Sequence, residues 1–121
     1  YIYGHARTIQ RDNSSTYYFL YDQPGKSVCC LLDHCTLDPS PMQYDSFGNP
    51  SSPNSETLYL YNGEEYDEET GLIFLRNRYY DPEIGRFISP DFILGNLKDP
   101  QSLNPYVFVR NNPLSLVDPL G

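Results

Sequence analysis

Hydrophobic and polar positions alternate along this chain in short stretches, each cut off by a turn-forming cluster before it can lengthen. Thr16 to Tyr21 reads TYYFLY, is closed by Asp22-Gln23-Pro24-Gly25, and is answered by Lys26 to Leu32 as the second arm of a hairpin. Tyr1 to Tyr3 and Arg7 to Arg11 read as short strands about Gly4, with a turn over Asp12 to Ser15. The pattern weakens between Asp33 and Pro41, Pro50 to Glu56 is the most loop-like stretch, and Thr57 to Tyr61 alternates again as a strand. The rest of the chain is organised around Asn62 to Asp91. There an unbroken run, Leu72 to Tyr80, reads as one strand between turns at Asp67 to Gly71 and Asp81 to Gly85, so residues 57–89 are expected to form antiparallel hairpins. Beyond Ser89 the strand pattern stops. Ser102 to Arg110 fits either a short helix with Pro105 in its first turn or a final strand.

A repeat underlies these hairpins. Tyr21-Asp22, Tyr44-Asp45, Tyr66-Asp67 and Tyr80-Asp81 are each followed by a glycine, at Gly25, Gly48, Gly71 and Gly85. The first three aspartates are almost evenly spaced and the fourth follows sooner, as in stacked units that bury their faces on one another. The residue types have a physical reason: an Asp carboxylate accepts from amides further round a turn, and Gly takes positive φ without steric cost. A structural role covers all four units, whereas reading each Asp as catalytic would require a partner for each.

Composition narrows the class to all-β. Eleven prolines and eight glycines in 121 residues leave no window for a long helix, and twelve tyrosines against one Met and no Trp suit pleated, half-wet surfaces. The formal charge of −8, with only eight Lys and Arg, argues against nucleic acid as a partner. Glu64 to Glu69 holds five acids interrupted only by Tyr66 and lacks the spaced ligands of a calcium loop, so it reads as a solvated turn. Three cysteines, Cys29, Cys30 and Cys35, cannot form a complete disulfide framework. With Asp33 and His34 they match no common zinc spacing, so neither metal nor cofactor is expected. No signal peptide or membrane-spanning run is recognisable, and the chain reads as a piece of something longer.

The segments YDSFGNP (44–50), GEEYDEETGLIFLRNRYYDPEIGRFISPD (63–91), DPQSLNPYVFVRNNP (99–113) and VDPLG (117–121) resemble, in the same order, the RHS-repeat-associated core. That core ends the YD-repeat shell of bacterial RHS polymorphic toxins and insecticidal toxin-complex C subunits. On this reading residues 44–121 are the core and residues 1–43 are divergent YD-type hairpins.

The resemblance implies consecutive antiparallel hairpins forming part of a hollow β-shell, with an irregular C-terminal segment that has room for a short helix. It implies as partners an upstream YD-repeat shell and a downstream toxin of the same parent, and secretion or delivery to a cell surface. It further implies self-cleavage of the parent beyond the terminal motif by two aspartates corresponding to Asp91 and Asp118. Phe92 stands where the family has proline after the first of these. Two nearby carboxylates suit that chemistry, one protonated to polarise a carbonyl and the other activating water. Arg86, before Asp91, is the candidate for steadying the ionised partner. Three functions are therefore weighed: a closing shell segment that encapsulates and helps deliver a toxin, a cis-acting aspartyl protease in the intact parent, and a cell-surface module binding glycans through exposed tyrosines. This segment by itself is not expected to act as an enzyme on other substrates.

Overall fold

The computed structural model describes residues 2–3, 7–11, 16–21, 27–33, 36–37, 41–51 and 57–121. Among the described residues the strands form two antiparallel sheets. The first runs in chain order through β1 (Ile2–Tyr3), β2 (Arg7–Arg11), β3 (Thr16–Tyr21), β4 (Val28–Asp33) and β5 (Thr36–Leu37). The second comprises β6 (Glu65–Asp67), β7 (Leu72–Leu75), β8 (Arg78–Asp81) and β9 (Arg86–Phe87). Every neighbour in each sheet is also the neighbour in sequence, the arrangement that short turns impose.

Of the hairpins expected over residues 57–89, those from Glu65 to Phe87 are present, with turns where the Asp-to-Gly spacing placed them. Asp67 Oδ1 accepts from the Glu69 amide (3.0 Å) and its Oδ2 from the Thr70 hydroxyl (2.8 Å), which holds the Asp67 carboxyl below its ordinary range. Asp81 Oδ1 accepts from the Glu83 amide at 2.9 Å. Gly71 and Gly85 close these turns at φ of 73° and 68°. Asp45 forms the same turn, accepting from the amides of Phe47 and Asn49. Asp22 and Gly25 lie outside the described residues, as do His34 and Cys35.

Three local readings are corrected. Leu72 to Tyr80 is two strands rather than one, because the chain reverses at Arg76-Asn77, where Arg76 takes a φ of 62° and the Asn77 amide donates to Leu75 O (2.7 Å). Thr57 to Tyr61 contributes a single bridge, Tyr59 to Glu65, before a 3-10 turn at Tyr61–Gly63. Ser102 to Arg110 is neither helix nor strand: Val107 bridges to Arg86 between 3-10 turns at Pro100–Leu103 and Val109–Asn111.

Tyr66, Ile73, Tyr80 and Phe87 stand directly opposite one another across β6 to β9. Ile73, Tyr80 and Phe87 are buried from that row, and Phe108 closes over it from the irregular segment, its ring 4.2 Å from that of Tyr80 and 5.7 Å from that of Phe87. A second cluster, Phe19, Val28, Met42 and Leu60, packs β3 and β4 on the segments that precede β6, with Tyr66 of β6 against it, and the Val28 amide donates to Leu60 O at 3.0 Å.

The tyrosines of the Tyr-Asp pairs connect separate units. Tyr44 donates its hydroxyl to Val28 O (2.6 Å) in the unit before its own, and Tyr80 donates to Phe47 O (2.7 Å) in the Tyr44 unit, passing over that of Tyr66. The turn glycines press on neighbours in the same way: a Cβ on Gly48 would overlap the Tyr61 ring, and one on Gly85 would stand 2.8 Å from that of Phe47. Gly48 also holds a φ of 90°. Gly48→Ala is therefore expected to lower stability by about 1–3 kcal/mol, through backbone strain and forced repacking together. Urea unfolding of the two proteins checks this, and an unchanged midpoint would show that Tyr61 yields freely.

Candidate functional site

The irregular segment after β9 returns twice to the inner end of β8. Leu75 and Arg78 are paired in register next to the turn, and both fall on the buried face that carries Ile73 and Tyr80. Arg78 is thus an inward-facing arginine, 6% exposed. A buried guanidinium needs opposite charge and acceptors for its fork of donors, and the returning chain provides them.

Arg78 Nη2 lies 3.0 Å from Asp91 Oδ2 and 3.5 Å from Asp118 Oδ2. Nη1 donates to Pro105 O (3.2 Å) and Nε to Gly121 O (2.8 Å). The Phe87 ring covers the group from one side, 3.6 Å from Cζ, in cation–π contact. One side chain therefore ties together β8, the residue opening the irregular segment, its middle and its last turn.

Each aspartate is positioned by its own local turn. Asp91 Oδ1 accepts from the Ile93 amide (2.8 Å), and its own amide donates to Pro105 O (2.8 Å). Asp118 Oδ1 accepts from the amides of Leu120 (3.1 Å) and Gly121 (2.9 Å). In both residues Oδ1 is committed to the backbone and Oδ2 is turned to Arg78. A cleft of about 380 Å³ opens beside Asp91, lined among others by Asn96, Asp99, Ser102 and Arg110. Arg110 and Asp99 form an ion pair across it at 3.0 Å.

Asp91 and Asp118, far apart in sequence, thus share one cation. The guanidinium between them is that of Arg78; the Arg86 side chain is exposed on β9, and its main chain pairs with Val107. The sequence held one signal for Arg78, since a residue two before buried Tyr80 on the same strand shares its face. Asp45, Gly48, Asp67, Gly71, Asp81 and Gly85 occupy turns away from this cluster. Cys29 and Cys30 lie on β4.

Comparison with known proteins bears on the family to which this arrangement belongs. Residues 1–114 match the Teneurin YD-shell family. The chain is 35% identical over 128 residues to the tRNA3(Ser)-specific nuclease WapA of Bacillus spizizenii, covering all of this chain and 5% of that protein. Solved toxin-complex structures share its fold. The complex TcdB2-TccC3 without its hypervariable C-terminal region superposes with a TM-score of 0.72 at 34% identity, over 90% of this chain and 5% of that one. The TcdB2-TccC3-Cdc42 structure gives 0.70 at 33% identity, over 92% of this chain and 5% of that one. The fold is that of a YD-repeat β-shell segment. The chain belongs to the RHS/YD-shell family, and it spans about one-twentieth of the length of these relatives.

Proposed function

We propose that this chain is the closing segment of an RHS/YD-repeat shell that encloses a C-terminal toxin of the same parent and helps deliver it from the cell. The observation carrying this reading is the likeness to TcdB2-TccC3 without its hypervariable C-terminal region, since this chain matches the part of that relative that remains when the variable region is removed. The WapA relative, a nuclease by name, supports a toxic activity lying outside the matched segment. Hairpins that bury their faces on adjacent units supply a wall, and Arg78 fastens the last turn to it. Limited proteolysis of the full-length parent tests the reading. The region beyond residue 121 is expected to resist digestion until the shell is unfolded, and equal digestion in folded and unfolded shell would end it.

A second reading, cleavage of the parent in cis, is favoured by the convergence of Asp91 and Asp118 on Arg78. In that reaction one aspartate, ionised, takes a proton from the water that attacks the peptide carbon; the other, protonated, gives its proton to the leaving nitrogen as the C–N bond breaks, and Arg78 offsets the negative charge. Cleavage within one chain removes the entropic cost of finding a substrate. Asp91→Asn and Asp118→Asn are each expected to leave the full-length parent uncleaved on a denaturing gel, while Arg86→Ala is cut like wild type. Efficient cutting of both Asn variants would make the two residues turn formers only.

A further inference from the structure

The four residues 118–121 meet the tip of the β7–β8 hairpin as a ligand meets a receptor. The segment is a preformed turn, because Asp118 Oδ1 gathers the Leu120 and Gly121 amides and so leaves Oδ2 free to face Arg78. The hairpin answers with donors: Asn77 Nδ2 to Leu120 O at 2.7 Å and Arg78 Nε to Gly121 O at 2.8 Å. Both donors are placed by the tight reversal at Arg76.

The contact is selective at its two ends and indifferent in its middle. At the first position a carboxylate is needed both to close the turn and to reach Arg78. At the fourth, Gly121 has a φ of 79°, and a Cβ there would collide with Leu75 O. That carbonyl belongs to the hairpin main chain and cannot swing aside as a side chain would. Pro119 and Leu120 between them are exposed, Leu120 at 68%. No donor on the hairpin reads their side chains; only the Leu120 carbonyl is engaged.

We infer that Leu75 to Arg78 form a peptide-recognition site for an Asp-x-x-Gly turn, whose occupant is the chain's own 118–121. The inference goes beyond shell closure and does not rest on cleavage, since the hairpin grips the turn whether or not the peptide bond after it is cut. Its consequence is retention. A shell severed beyond the turn keeps its last residues seated, because the contacts holding them all lie on the shell side of the cut.

Hydrogen exchange read by mass spectrometry on the full chain tests this. Gly121→Ala is expected to speed exchange over 117–121 by about 10-fold or more while the β7 and β8 amides keep their protection. Leu120→Ser, at the unread position, is expected to exchange like wild type. Should Gly121→Ala loosen the hairpin as well, Asn77→Ala decides, because its exposed side chain leaves the strands intact and removes the bond to Leu120 O. The inference is overturned if Gly121→Ala or Asn77→Ala leaves the tail as protected as before, or if Leu120→Ser releases it equally.

Discussion

Tyr80→Ala is expected to lower stability by about 3–5 kcal/mol, a large fraction of the total for a domain of this size. Tyr80 has no exposed surface, its ring packs on Phe87 and Phe108, and its hydroxyl donates to Phe47 O in the Tyr44 unit. Alanine would remove the centre of the core and the bond between units together. Tyr80→Phe separates the two effects: it keeps the ring and leaves Phe47 O without its donor, for an expected cost of about 1 kcal/mol. The pH dependence distinguishes the variants further. Burial, more than the nearby Tyr61, Asp45 and Asp81, raises the Tyr80 pKa far above its ordinary 10.0. The neutral hydroxyl is therefore favoured in the folded state, and its contribution, complete below the unfolded value, is lost as pH rises beyond about 10. Wild type should accordingly lose stability in alkali more steeply than Tyr80→Phe, as urea midpoints at pH 8 to 11 would reveal. Parallel slopes would show that another group governs alkaline unfolding.

Arg78→Ala is the second change with a large expected effect, about 3 kcal/mol. Removing a buried cation from its partners costs about 3–5 kcal/mol, and the lower end applies because Asp91 and Asp118 retain access to water, with side-chain exposures of 35% and 23%. The loss should be local as well as global. Asp91, Pro105 and Gly121 each lose a contact to the same group, so the irregular segment loosens before the β6–β9 sheet does. Arg78→Lys should recover little, since a single ammonium cannot span Nε, Nη1 and Nη2 acceptors or stack as a plane on Phe87. Urea unfolding combined with hydrogen exchange checks both statements. Full rescue by lysine would show that charge alone holds the cluster.

Much of the second sheet was legible because its determinants are local. Asp67 with Gly71 and Asp81 with Gly85 specify their turns through bonds that span two to four residues, whatever the rest of the molecule does. The tyrosines before the aspartates were legible as packing residues for the same reason. Arg76-Asn77 was not, since it contains neither Gly nor Pro, and the reversal depends on Arg76 accepting positive φ so that Leu75 and Arg78 can pair. The fit of Phe108 onto Tyr80 was equally hidden: Val109, Arg110 and Asn111 all take positive φ just beyond it, a backbone course that none of these residue types announces.

The candidate site divides along the same line. Asp91 and Asp118 stood out through their motifs, but a motif does not say which cation meets them. Arg86 is near Asp91 in sequence, yet it lies on the exposed face of β9, and strand alternation alone sends it outward while turning Phe87 in. Arg78 is distant from both aspartates in sequence and reaches them through the inner face of β8. By itself the sequence determined the all-β class, the Asp-to-Gly turns and the order of the hairpins, since each is decided within a few residues by φ preference and side-chain capping. Only the tertiary structure decided which arginine the aspartates share and where the last turn docks. Those contacts join segments far apart along the chain, and a buried charge selects its partners by geometry.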